Sequence, residues 1–172
     1  MNDLLILVDT SDNEIGSATK EEAHRIGQLH RAFSVFIIND GKMLIQKRNI
    51  NKYHSGGLWA NACCSHPRFG ETLDEAVPRR MIEEIGFACK VEEVGHFVYR
   101  TQYHESLYEF EFDHVFLGNY AGEVEFNEEE IEEVKWITFH DLKKDLVKHP
   151  EKYSSWFMIA APMVLERIEK DA

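Results

Sequence analysis

The sequence predicts an α/β (α+β) fold, and three stretches predict it. Arg31 to Ile38 reads Arg-Ala-Phe-Ser-Val-Phe-Ile-Ile, apolar at both alternating positions except Ser34, as in a central strand covered on both faces. Tyr108 to Phe116 alternates with period two, with Tyr108, Phe110 and Phe112 turned one way and Glu109, Glu111 and Asp113 the other. Between them, Thr72 to Ile85 carries Leu73, Ala76, Val77 and Met81 at spacings of three and four, which suits a packed amphipathic helix. With 172 residues, 44% of them hydrophobic and 12% aromatic, the chain is expected to form a single domain over residues 1–172.

Charge and composition narrow the partners. A formal net charge of −12 argues against a general nucleic-acid binder, so an anionic ligand must find a local cationic pocket. No stretch approaches the apolar length of a membrane span, and the N-terminus lacks a basic region followed by an apolar core and cleavage site. Three cysteines without evident partners favour a reducing cytoplasm. Monomer and dimer are equally compatible with these features.

In chain order, Leu4 to Val8 is a short apolar strand that ends in a turn at Asp9, Asp12 and Asn13. Lys20 to His30 holds His24 and His30, which one continuous helix would set about 240° apart; sharing a ligand requires a backbone turn, which Gly27 allows. Each imidazole taken alone reads as a surface or core residue. After the central strand, Asn39-Asp40-Gly41 signals a tight turn and Lys42 to Lys47 the returning strand. Lys47, Arg48 and Lys52, with Tyr53, His54, Ser55, Gly56 and Gly57, form a basic, glycine-bearing loop. It is either simply solvated or one of the few places in an acidic chain able to receive a diphosphate.

Trp59 to Pro67 sets Cys64 two residues before His66, and Cys63 reads as a small packing residue. A zinc knuckle is excluded because Cys89 has neither a Cys nor a His at the required distance. In the helix that follows, Thr72 or Asp74 can cap the start and Gly86 the end. Stepping about 100° per residue turns Arg80 and Glu84 toward the apolar side, either as an ion pair with buried stems or as ligand-binding groups. Pro78 is expected to kink the axis.

Lys90 to Arg100 reads as two short strands hinged at Gly95, and Tyr108 to Phe116 as an edge strand with its carboxylates in water. Two glutamates at i and i+2 also present two oxygen ligands to one metal, and spacing leaves both readings open. Gly122 to Glu133 is acidic and reads as a solvated turn or short helix, and Val134 to Ile137 as a strand. Thr138 to Asp141 resembles a capping box, and Trp156 to Glu169 is a closing helix bent at Pro162.

Glu71, seven intervening residues, then Arg79-Arg80-Met81-Ile82-Glu83-Glu84-Ile85-Gly86-Phe87 resembles the Nudix box. Ser65 stands where that box opens with glycine, and Arg80 replaces the glutamate after its arginine, which argues against ordinary pyrophosphate hydrolysis. Ala23-His24, Leu29 to Ser34, Trp59 to Pro67, Tyr99-Arg100, Tyr108 to Glu111 and Ser155-Trp156 extend the resemblance, over about Lys20 to Trp156, to the type I isopentenyl-diphosphate isomerase family.

That resemblance implies a Nudix-like mixed β-sheet sandwiched between helices. It implies that His24, His30, His66, Glu109 and Glu111 hold one Mn²⁺, Mg²⁺ or Zn²⁺ ion, with Glu84 holding a Mg²⁺ that arrives with the substrate diphosphate. Lys20, Arg48, Lys52 and Arg80 match diphosphate-binding positions. Cys64 and Glu111 match the acid–base pair, Tyr99 a hydrogen-bonding group beside Glu111, and Trp156 a ring facing a carbocation. The implied partner is a small isoprenoid diphosphate, with neither nucleic acid nor membrane. A Nudix pyrophosphohydrolase and a silent metal-binding module are the alternatives.

Overall fold

The structure, a computed structural model, describes residues 3–172, and among these nine strands join in one mixed sheet with four α-helices. Strands β1 (Leu4–Val8) and β2 (Glu14–Thr19) form an antiparallel hairpin that leads into α1 (Lys20–Ile26). The chain continues through β3 (His30–Asn39), β4 (Lys42–Arg48), β5 (Trp59–Asn61), β6 (Cys63–Ser65) and α2 (Leu73–Ile85). It then forms β7 (Val91–His104), β8 (Leu107–Asn119), β9 (Ile131–Thr138), α3 (Phe139–Lys148) and α4 (Ser155–Asp171).

Strand β3 is the axis of the sheet. It runs parallel to β8 from the pair His30 and Glu111 to the pair Ile38 and Asn119. Its other edge meets β1 at the start, β6 in the middle and β4 at the end, all antiparallel. Alternation then sends Phe33, Val35 and Ile37 into one core with Val77, Met81 and Ile85 of α2. Phe36 goes to the opposite core with Val115, Leu117, Leu142 and, from α4, Phe157, Ala160 and Val164. Both faces of the strand are therefore covered, as its unbroken apolar run predicts. Each large apolar side chain fully buried there contributes about 1.5–3 kcal/mol.

The ends of α2 follow from their side chains. Thr72 rather than Asp74 is the cap: its hydroxyl accepts from the Glu75 N–H at 3.2 Å, and the Glu75 carboxylate accepts from the Thr72 N–H at 3.3 Å. Gly86 closes the helix in the left-handed region at φ 79°, donating to the carbonyls of Ile82 and Met81. Helix α2 continues through Pro78, and α4 through Pro162 as far as Asp171.

Several elements differ from the sequence reading. Strand β7 is one strand, with a register shift between Glu93 and Gly95 rather than a break, because its ladder with β8 holds on either side. Strand β8 lies between β3 and β7, so it is central and not an edge, and Glu109, Glu111 and Asp113 are all buried while Tyr108 and Phe110 are only half-buried. Alternation shows which residues share a face; what packs on that face, here α1 among others, decides whether it is covered. The acidic segment from Gly122 is irregular and turns at Glu128 to Glu130, but Ile131 to Glu133 already belong to β9. Strands β2, β5 and β6 were not foreseen. The first is half exposed and the other two have three residues each, too few for a period to show.

Gly86→Ala is expected to destabilise the protein by at least about 2 kcal/mol, since the left-handed backbone disfavours any Cβ and this one would strike the carbonyl oxygen of Glu125. Urea denaturation followed by circular dichroism measures it, and an unchanged midpoint would refute the assignment of Gly86 as an obligatory cap.

Candidate functional site

Three imidazoles and two carboxylates meet at the N-terminal ends of β3 and β8. Thr19 caps α1 through the Glu22 N–H, and Gly27 ends it in the left-handed region at φ 72°. The resulting turn brings the rings of His24 and His30 to 5.2 Å between centroids, although a continuous helix would part them. His66, just past β6, lies 4.9 Å from His30 and 6.1 Å from His24. The parallel register sets Glu111 beside His30, and its Oε2 lies 3.3 Å from His30 Nε2 and 2.8 Å from His66 Nε2. Glu109, two residues earlier on the same face, places Oε2 2.5 Å from His24 Nε2.

This donor set fits a divalent cation. The Nδ1 atoms of His24 and His30 donate to the carbonyls of Lys20 at 2.6 Å and Gln28 at 2.9 Å, because a carbonyl only accepts. That fixes the tautomer and leaves each Nε2 as a bare lone pair. His24 Nε2, His30 Nε2 and Glu109 Oε2 are all buried, and none makes a hydrogen bond among the described residues. Leaving such atoms unsatisfied costs about 1–3 kcal/mol each. The ligand atoms of His24, His30 and His66 lie within 4.8 Å of one another, as do those of His30, Glu109 and Glu111.

Burial and close charges tune these groups in opposite directions. Burial works against charge on His30, but the Glu111 carboxylate outweighs it and holds the imidazole above its ordinary value. Burial dominates at His66 and lowers it to about 4. Burial would raise both Glu109 and Glu111, and the Glu109 charge would raise Glu111 further, yet the imidazoles around them hold both carboxyls below the usual range.

A cavity of about 250 Å³ opens beside the cluster, and Lys20, Arg48, Lys52, Arg80, Cys64, His66, Glu84, Glu109, Glu111 and Trp156 all line it. Cys64 is held by the pairing of β6 with β3, opposite Ser34. Burial pushes its thiol up to about 12, with Arg48 offsetting part of the rise. The Arg48 guanidinium donates toward Cys64 Sγ at 3.9 Å and lies 5.0 Å from the Trp156 ring centre, while the Lys20 ammonium sits 4.4 Å above the ring of Tyr53.

Arg80 and Glu84 face inward, as the helical wheel predicts. Glu84 is buried and accepts from Gln46 at 2.9 Å, Cys63 at 3.5 Å and Arg80 at 3.1 Å. Burial raises its carboxyl, Arg80 opposing. Arg80 is also bound to Glu83 at 2.6 Å and Glu130 at 2.8 Å, so three carboxylates share its charge. Arg79 grips both oxygens of Glu71 at 2.7 and 2.8 Å, which locks the loop before α2 to the helix.

One expected contact is absent. Tyr99 pairs with Glu111 in the β7–β8 register, but its buried hydroxyl has no hydrogen-bond partner among the described residues; the ring packs with Ala60 and Trp156 instead. Residues facing each other across a ladder share a face, but a tyrosine hydroxyl lies too far from the backbone for register alone to bring it to the neighbouring carboxylate.

Three further side chains belong to the site and were not singled out in the sequence. Asn61 accepts from Trp156 Nε1 at 3.0 Å and donates to the carbonyl of Cys63 at 2.7 Å, tying the indole to the strand that bears Cys64. His54 reaches Glu109 Oε1 at 3.2 Å. Asp113 accepts from the Ser34 hydroxyl at 3.0 Å, and burial together with the Glu111 charge pushes its carboxyl well above the usual range. Asp113 continued the Glu109 and Glu111 alternation, and His54 stood in the basic loop already considered for a diphosphate.

Comparison with known proteins points the same way. Residues 28–157 match the NUDIX domain family. An isopentenyl-diphosphate Delta-isomerase 2 of Photorhabdus laumondii is 46% identical over 158 residues, covering 91% of this chain and 89% of the relative. An isopentenyl-diphosphate Delta-isomerase 1 of Aromatoleum aromaticum is 45% identical over 172 residues, covering 99% and 97%. Among solved structures, a Deinococcus radiodurans protein superposes with a TM-score of 0.76 at 21% identity, covering 95% of this chain and 98% of that one. A MutT NUDIX hydrolase of Burkholderia pseudomallei gives 0.65 at 21% identity, covering 80% and 98%; at such identities the likeness is one of fold.

The raised thiol gives a pH test. Iodoacetamide labelling of Cys64, resolved by peptide mass spectrometry, should climb with pH without levelling off below pH 10, because the reactive thiolate forms only toward pH 12. A plateau near pH 9 would show an ordinary, solvated thiol.

Proposed function

The chain belongs to the NUDIX family and, within it, to the isopentenyl-diphosphate Delta-isomerases, and from that premise we propose that it interconverts isopentenyl and dimethylallyl diphosphate, in isoprenoid biosynthesis, through Cys64 and Glu111. The observation that carries the reading is the thiol of Cys64 and the carboxylate of Glu111 lining one cavity walled by cationic side chains.

The reaction adds a proton at one end of an unactivated alkene and removes another two carbons away, by way of a tertiary carbocation. Such a species needs an acid, a base and a dry pocket, because water would capture it. Cys64 keeps its proton at neutral pH while Glu111 is held ionised, so the resting pair has one proton to give and one empty acceptor. Trp156, buried and anchored by Asn61, supplies a ring whose attraction for a desolvated cation is about 2 kcal/mol. Arg48 occupies that ring's neighbourhood before substrate binds. A diphosphate drawing Arg48 toward Lys20 and Lys52 would free the indole. Arg80, a further cationic side chain of the wall, adds to the same anion-binding group.

His24, His30, His66, Glu109 and Glu111 would hold a Mn²⁺, Mg²⁺ or Zn²⁺ ion, for which mixed nitrogen and oxygen donors are suited. When bound, it supplies a fixed positive charge that keeps the two carboxylates ionised and the five side chains ordered. Glu84 would hold a Mg²⁺ accompanying the diphosphate. The Cys64 thiol must stay reduced, which calls for a compartment such as the cytoplasm. A NUDIX pyrophosphohydrolase is the second reading, supported by the box residues Arg79, Glu83 and Glu84 along the same cavity.

Incubation with isopentenyl diphosphate and Mg²⁺ in D₂O, followed by NMR, is expected to yield dimethylallyl diphosphate carrying deuterium. Cys64→Ala should lower kcat by about 10²–10⁴-fold. Release of phosphate from a nucleotide diphosphate, undiminished in Cys64→Ala, would overturn the isomerase reading in favour of the hydrolase.

A further inference from the structure

The loop from Asn49 to Leu58 turns one side chain inward. Its base is closed by Arg48 N–H to the Leu58 carbonyl at 2.9 Å and Gly57 N–H to the Arg48 carbonyl at 2.9 Å. Its middle is tight, since a Cβ at Gly56 would strike the carbonyl oxygen of Ile50. Tyr53 is 43% exposed, whereas the adjacent His54 is only 7% exposed. The His54 ring stacks on Tyr103 at 4.4 Å with planes 5° apart and meets the edge of Trp156 at 5.8 Å.

The two ring nitrogens of His54 have different partners. Nε2 faces Glu109 Oε1 at 3.2 Å and Nδ1 faces the Ser55 hydroxyl at 3.1 Å. A carboxylate that shares a cation is ionised and only accepts, so Nε2 donates and Nδ1 accepts from Ser55. Glu109 is thereby divided: Oε1 is taken by His54, while Oε2 lies 2.5 Å from His24 Nε2 without a hydrogen bond.

We infer that His54 is a positioning residue, which holds Glu109 so that Oε2 alone is offered to the metal cluster and couples the Lys52-bearing loop to that cluster. The inference rests on the metal-binding reading of His24, His30, His66, Glu109 and Glu111 given above. A ligating carboxylate free to rotate spends part of its time in other orientations, and loss of such an outer partner lowers metal affinity about tenfold to a hundredfold. The strand that presents Glu109 cannot supply this control, because backbone pairing fixes Cβ and not the carboxylate torsion.

Chelator competition against the Mn²⁺-loaded protein, with the electron paramagnetic resonance spectrum of the bound ion, tests it. His54→Phe keeps the stacked ring and removes the donor; it should bind Mn²⁺ about tenfold to a hundredfold more weakly, with an altered spectrum. His54→Gln keeps an N–H directed at Glu109 and should restore most of the affinity. If His54→Phe does not fold, His54→Leu takes its place in the comparison with His54→Gln. Wild-type affinity in the donor-less variant, or equal losses in the donor-less and glutamine variants, would overturn the inference while leaving the metal site intact. Failure of the unsubstituted protein to bind Mn²⁺ would overturn the metal reading itself, and this inference with it.

Discussion

Strand β3 runs beside β8 in parallel register, and that pairing sets Glu111 next to His30. The rest of the site is arranged around this junction. On the same face of β8, Glu109, Glu111 and Asp113 give way to Val115 and Leu117, which pack beneath α4. One face of one strand is thus a polar site at its start and hydrophobic core at its end. A register slip of one residue would send Glu109 and Glu111 to the opposite face and remove two oxygens from the cluster at once. The apolar residues farther along the strand are what make such a slip costly.

Electrostatics explains how this arrangement survives in an acidic protein. With a net charge of −12, buried carboxylates would repel one another and any anionic ligand. Each instead has a local partner: His54 donates to Glu109, His66 lies against Glu111, and Gln46 and Arg80 donate to Glu84. The cationic groups Lys20, Arg48 and Lys52 are concentrated along the cavity beside the cluster. Arg80 stands where the box pattern has a carboxylate, and it adds a positive charge to a wall that would otherwise hold one more negative one. Breaking one member of such a buried set leaves its partner charged and unpaired, at a cost of about 3–5 kcal/mol.

Much of the architecture was legible because it depends on local periodicity. The both-faced apolar run of β3, the wheel of α2 with its inward Arg80 and Glu84, and the cap at Gly86 are properties of neighbours three or four residues apart, and the structure agrees with them. The wet-edge reading of β8 failed for the converse reason. Its alternation is correct, but β8 lies between β3 and β7, and its carboxylates are covered by α1, His54 and His66, all far from them in the chain. The strands β5 and β6 were hidden because three residues carry no pattern, even though β6 holds Cys64.

The sequence by itself determined the chemical inventory: one helix with a charged inward stripe, a thiol two residues before an imidazole, two glutamates on one strand face, and a turn at Gly27 that lets two histidines meet. The type of side chain and its phase along an element are local quantities, fixed by bond geometry. Only the tertiary structure decided which of these groups touch. It turned Glu109 between His24 and His54, left the Tyr99 hydroxyl without a partner among the described residues, and shared Arg80 among three carboxylates. Those outcomes depend on side-chain torsions and on contacts between residues far apart in the chain, and neither leaves a period for a sequence to display.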